Sequence, residues 1–245
     1  MNPRLTLVTA ARVLRQLRSD RRTIALLLVV PCVLMGLLAW IFADTPAVFD
    51  QIGPGLLGIF PMIVMFIVTS IATLRERTSG TLERLLTTPL GKADLMFGYA
   101  LAFALVALVQ AVVVVAFSVY VCGLDVRGET WLLGVVAVFD AVLGTTLGLL
   151  ASAFARTEFQ AVQFMPAFIF PQLLLCGLVV PRAGLPSGLR QLSDVLPLSY
   201  AVDAMTAVQV RVAAGGEVGK NVAIIGALAL LALALGSLTL RRRTA

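Results

Sequence analysis

Six long apolar runs dominate this sequence: Thr23 to Ala43, Gly53 to Leu74, Leu95 to Val121, Leu132 to Phe154, Val162 to Val180 and Asn221 to Leu240. Each approaches or exceeds the roughly 20 residues that a helix needs to cross a ~30 Å hydrocarbon core. In lipid every backbone N–H and C=O needs an internal partner, so a spanning segment must be a helix or part of a closed barrel. The runs lack the alternation of barrel strands. The expected fold class is therefore all-α, a polytopic membrane protein with six transmembrane helices. Composition agrees, since 13% of the 245 residues are charged and the mean hydropathy is +1.00, against about one quarter charged in a soluble domain. With no internal repeat and no low-complexity tract, residues 1–245 read as a single membrane domain.

Charge sets the orientation. With both termini inside, fourteen of the nineteen basic residues fall on inner segments, and the outer loops keep only Arg127, Arg182, Arg190, Arg211 and Lys220, as the positive-inside rule requires. The net charge of +6 is thus explained by topology, and nucleic acid is not an expected partner. The first run follows arginines as a signal peptide would, but it is longer than the usual apolar core of about 7 to 15 residues, so it is expected to be retained. The expected location is a bacterial inner membrane, with both termini cytoplasmic.

Before the first run, Leu7, Ala10, Val13, Leu14 and Leu17 share one helical stripe, with Arg4, Arg12, Arg15, Arg18 and Arg22 opposite. This pattern predicts a basic amphipathic helix over residues 1–22, lying in the inner interface. The outer loops "DTPAVFDQI" and "CGLDVRGETW" are too short to form a domain. The segment 181–220 is longer, contains Pro181, Pro186 and Pro197, and is too broken to span yet too apolar for a plain solvated loop. It is expected to form an outer re-entrant hairpin before the last span.

Several chemistries are disfavoured. No G-x-x-x-x-G-K-[ST] phosphate loop occurs, and the glycines of "IGPGLLGIF" lack the lysine that would neutralise phosphate. There is no histidine to activate a serine or to bind haem, and Cys32, Cys122 and Cys176 have neither disulfide nor zinc spacing. No catalytic residue, metal site or cofactor of its own is expected, so the chain is not expected to be an enzyme.

Asp140 is the one acid well inside a run. A charge there costs about 2.5 to 3.5 kcal/mol on insertion scales, so the group should face protein or a water-filled cavity. Gly144, Gly148 and Ser152 follow at i+4 spacing and make a small-residue stripe for close helix packing. Gln110 lies at similar depth and is a candidate hydrogen-bond partner. Asp140 is read either as a proton relay or as a hydrogen-bonding group at a helix interface. The second and fifth runs contain Pro54, Pro61, Pro166 and Pro171, which free backbone carbonyls and bend helices. The same runs carry Met62, Met65, Phe66, Phe164, Phe168 and Phe170, soft and aromatic groups that suit the lining of an apolar substrate pathway or ordinary packing.

One charged island remains, "RERTSGTLERLLTTPL" from Arg75 to Leu90. Leu82, Leu85 and Leu86 recur at i, i+3 and i+4, predicting a short amphipathic helix after Gly80 that ends before Pro89. The island resembles the loop between the second and third spans of ABC type-2 exporter permeases, and "LPLSYAVDAM" from Leu196 to Met205 is similar to the motif before their last span. The resemblance implies a permease subunit that pairs with a second permease chain and with two copies of a separate nucleotide-binding ATPase, which holds ATP and Mg. It also implies that loop 75–94 docks on that ATPase as a coupling helix, with Glu76, Gly80, Thr81, Glu83, Arg84, Leu86 and Pro89 matching the family pattern. The cargo expected from such apolar spans is a drug, antibiotic or lipid. An ion-coupled secondary transporter using Asp140, or a signalling or assembly protein that moves no solute, stands as the alternative.

Overall fold

In the computed structural model, residues 3–79 and 91–239 are described. Among them nine helices and one 3₁₀ turn occur, and no strand. Helices α1 (Pro3–Ser19) and α2 (Arg21–Ile41) meet at Asp20. Its carboxylate accepts from the Thr23 N–H at 3.1 Å and from its hydroxyl at 2.7 Å, capping the first turn of α2. These hydrogen bonds hold the Asp20 carboxyl below the usual carboxylate range. Next come α3 (Pro46–Thr78), α4 (Lys92–Tyr120), α5 (Thr130–Phe154) and α6 (Glu158–Leu175). The 3₁₀ turn Arg182–Gly184 precedes α7 (Ser187–Val195), α8 (Pro197–Val210) and α9 (Gly215–Thr239).

Five of these helices, α2, α3, α4, α5 and α9, are long and apolar enough to cross a membrane. The run expected to end at Val180 forms the shorter α6. This helix starts at Glu158 and stops at Leu175, because Gly177 adopts φ +98, a conformation that side-chain-bearing residues rarely adopt. Glu158, Gln160, Gln163 and Gln172 also lower its apolar character. The second run, by contrast, is extended at both ends. With 33 residues, α3 measures about 50 Å at 1.5 Å per residue. Pro46 opens the helix at a position where no N–H is needed, so most of "DTPAVFDQI" is helical. At the other end the ions Arg75, Glu76 and Arg77 continue the helix instead of starting a loop. Pro54 and Pro61 lie inside α3, and Pro166 and Pro171 inside α6, without ending either helix.

The core is organised around α3, which packs most extensively on α5 and also meets α8, α6 and α2. A Cβ built on Gly144 would lie 2.3 Å from the Met62 carbonyl oxygen, and one on Gly148 would lie 2.6 Å from that of Phe66. The small-residue stripe of α5 therefore rests on the backbone of α3, the close approach that small residues permit between apolar helices. At the Pro46 end, the Asp125 N–H donates to Asp50 Oδ1 at 3.0 Å, and the N–H of Gly128 donates to the Val208 carbonyl at 2.8 Å. The Pro46 end of α3 and the last turn of α8 are thus each tied to the connection that precedes α5. Helix α8, inside the segment expected to be re-entrant, buries Leu198, Ala201, Val202, Met205 and Val208 against α3, α9 and α5.

Gly144→Val should destabilise the fold by about 3 kcal/mol, since the added atoms have no room against Met62. Gly134→Ala on the same helix, where an added Cβ meets nothing within 4 Å, should be neutral or stabilising by up to about 1 kcal/mol. Thermal unfolding of the detergent-purified variants measures both, and equal effects would show that the close approach is not what joins α3 to α5.

Candidate functional site

At the Thr78 end of α3 three consecutive ions face three different neighbours. Successive helical residues are rotated by about 100°, so Arg75, Glu76 and Arg77 fan out around the helix. Arg75 makes a two-pronged ion pair with Glu158 at the start of α6, Nε to Oε1 at 2.7 Å and Nη2 to Oε2 at 3.0 Å. Glu76, almost fully buried, accepts from Arg12 Nη2 of α1 at 2.9 Å. Arg77 donates to the Ser152 carbonyl in the last turn of α5. One helix end is thereby connected to α1, α5 and α6 in less than one turn.

The Arg12 contact has a further member. Arg12 Nη2 also donates to the Tyr99 hydroxyl of α4 at 3.0 Å, and the guanidinium carbon lies 5.9 Å from the centroid of that ring. Gly98 makes this possible, because a Cβ there would lie 2.6 Å from the Thr9 Cβ. Helix α1 consequently packs on α4 through Thr9, Ala10 and Val13, while Leu7 of the apolar stripe remains 59% exposed. Ala10, Val13, Leu14 and Leu17 of that stripe pack inward as expected, with Thr9 added beside them, and Arg12, expected on the solvent side, turns inward to Glu76.

Of the seven residues expected to couple to an ATPase, Glu76 is held in this network. Gly80, Thr81, Glu83, Arg84, Leu86 and Pro89 lie outside the described residues. Sequence pattern had not singled out Tyr99, Glu158 or Arg77. The available signal was an ion flanking each apolar run at the same end, which says that charges meet there and not which pairs form.

The intramembrane polar residues Asp140 and Gln110 are both fully buried, and neither side chain has a hydrogen-bond partner among the described residues. The expected contact between them is not made. Asp140 instead faces α3, its Oδ2 lying 3.4 Å from where a Gly58 Cβ would be, with Ala201 and Met205 of α8 beside the same glycine. Met62, Met65 and Phe66 are fully buried within the chain. Phe168 and Phe170 are exposed and Phe164 is half-buried. The Phe66 and Phe168 rings lie 6.3 Å apart, so the two expected groups of pathway residues meet at this pair.

The Arg12–Glu76 pair is testable by itself. Arg12→Ala and Glu76→Ala should each lower stability, and the double variant should lose less than the sum, with a coupling of about 1 to 2 kcal/mol for a half-buried charged hydrogen bond. Strict additivity in thermal unfolding would show that the pair contributes nothing as a pair.

A family model described as ABC-2 type transporter matches residues 4–210 of this chain. The chain is 31% identical over 150 residues to the protein named Probable multidrug ABC transporter permease YbhR of Escherichia coli strain K12, covering 61% of this chain and 41% of that one. It is 25% identical over 156 residues to the Linearmycin resistance permease protein LnrN of Bacillus subtilis strain 168, covering 63% and 39%. With ABC transporter G family member 20 of Dictyostelium discoideum the identity is 27% over 162 residues, covering 66% and 22%. The match spans less than half the length of each of these relatives.

Proposed function

The chain belongs to the ABC-2 type transporter family, and on that premise we propose that it is the membrane subunit of an ATP-driven exporter. ATP and Mg are bound by a separate ATPase, present in two copies, and two permease chains pair to form the pathway. The observation that carries this reading is the ionic fan of Arg75, Glu76 and Arg77. It anchors α3 to three other helices immediately before residues 80–90, where the coupling segment is expected. A push delivered to such a segment reaches α1, α5 and α6 through charged hydrogen bonds.

In this reading α6, continued by residues 176–180, is the fifth of six spans, α7 and α8 form the outer re-entrant segment, and both termini are cytoplasmic in a bacterial inner membrane. The exposed Phe168, Phe170 and Leu174 of α6 suit a face that meets the second chain. The names of the multidrug and linearmycin-resistance relatives support an amphipathic or apolar cargo, in keeping with the aromatic character of that face.

Pulling on the tagged chain from its native membrane should bring down an ATPase subunit, and the reconstituted pair should show cargo-stimulated ATP hydrolysis. Glu83→Ala with Arg84→Ala should uncouple hydrolysis from export while leaving membrane insertion intact. Unaltered export in that double variant would overturn the coupling assignment. Asp140→Asn should leave export and its pH dependence unchanged, whereas a shifted pH profile would favour an ion-coupled mechanism.

A further inference from the structure

A second concentration of charge lies at the other end of the fold, where α6 gives way to α7 and α8. Gly177 turns the chain at φ +98, and the Arg182 side chain folds back over it, its Cγ 3.2 Å from where a Gly177 Cβ would be. From there the guanidinium forms ion pairs with Asp194 of α7 and Asp203 of α8, and its carbon lies 5.9 Å from the centroid of the Tyr200 ring. One side chain thus joins the turn after α6 to both following helices. Underneath is a neutral layer: Ser193 Oγ donates to the Leu175 carbonyl at 2.8 Å and lies 3.0 Å from Ser199 Oγ, and the Leu198 N–H donates to Gln172 Oε1 at 3.2 Å. Cys176, the residue before the turn, is fully buried and is a free thiol.

The two layers differ in how readily they can open. The neutral one is buried, so separating it would leave desolvated polar groups unpaired, which is costly. The ionic one is partly open to solvent, with Asp194 56% and Asp203 37% exposed at the side chain, and such pairs are individually weak. Because they share a single guanidinium, loss of that one group removes both ion pairs and the Tyr200 ring contact together, leaving the neutral layer and the hydrogen bond from the Tyr200 hydroxyl to the Asp194 carbonyl.

We propose that Arg182 is the pin of a latch that holds the α7–α8 pair against the end of α6 and seals the α6–α8 junction, with Cys176 inside it, from the outer aqueous phase. The placement of this latch on the outer face, where cargo would leave, rests on the exporter reading above. The latch itself does not depend on an ATPase, and it carries its own reporter in Cys176.

The test uses the full chain with Cys32 and Cys122 replaced by alanine, in right-side-out membrane vesicles, and a charged, membrane-impermeant maleimide. In this background Cys176 should react slowly. Arg182→Ala should accelerate labelling about tenfold, as expected for loss of two partly exposed ion pairs that are each weak alone. Asp194→Asn combined with Asp203→Asn should do the same without removing the arginine, and Arg182→Lys should fall between. Arg190→Ala, which removes an exposed charge of α7 outside the cluster, should leave the rate unchanged. An unaltered rate in Arg182→Ala, or equal acceleration by Arg190→Ala, overturns the latch. Acceleration seen only in inside-out vesicles upholds the latch and overturns its outer placement, and with it the orientation of the exporter reading.

Discussion

Contact between the glycines of α5 and the backbone of α3 is the constraint from which the remaining packing follows. In hydrocarbon there is little gain from burying one apolar side chain against another, so helices associate through close fit and dispersion. Gly144 and Gly148 bring the α5 backbone against the Met62 and Phe66 carbonyls, which leaves the side chains of Met62, Met65 and Phe66 wholly enclosed. Once α3 is fixed there, its other glycines receive other partners. A Cβ on Gly55 would meet Leu178, and Gly58 adjoins Asp140 and Ala201. Large residues at these positions would push away both α5 and α8.

The two ends of α3 are secured differently. Its Pro46 end is joined through Asp50 to the connection before α5, with backbone hydrogen bonds between residues 127–128 and 208–209 alongside. Its Thr78 end is held by side-chain ions, each reaching a separate helix. Backbone hydrogen bonds fix a position, whereas ion pairs between long side chains tolerate small displacements of their partners. An end held by ions can therefore move with the helices it touches and stay connected to them.

Apolar run length and periodicity made much of the fold legible. The runs at 23–43, 95–121, 132–154 and 221–240 correspond to α2, α4, α5 and α9, and the Gly144–Gly148–Ser152 stripe lies where i+4 spacing put it. What escaped was decided by pairwise contacts that no single-helix pattern contains. The boundary drawn at Leu74 missed four further helical residues, because hydropathy ends where charges begin, and these charges have partners on α1, α5 and α6. Helical periodicity places Arg12 on the polar face, yet Glu76 and Tyr99 draw it inward. The break after α6 depends on one glycine conformation, and the separation of Gln110 from Asp140 depends on which helix each one faces.

Polar groups are therefore distributed unevenly along the bundle. Ion pairs occupy both ends, around Glu76 and Glu158 on one side and around Arg182 and Arg211 on the other. Gln110 and Asp140 between these ends, together with Thr69, Thr73 and Ser118, are buried with side-chain atoms that have no hydrogen-bond partner among the described residues. Each such group forgoes about 1 to 3 kcal/mol of stability that a partner would restore. The middle of the bundle is held by shape, through the glycines of α5 and the enclosed side chains of α3, and its ends by charge. A rearrangement that keeps the end contacts while shifting α3 along α5 would thus meet steric resistance from the glycine contacts, and electrostatic resistance only where the ions are anchored.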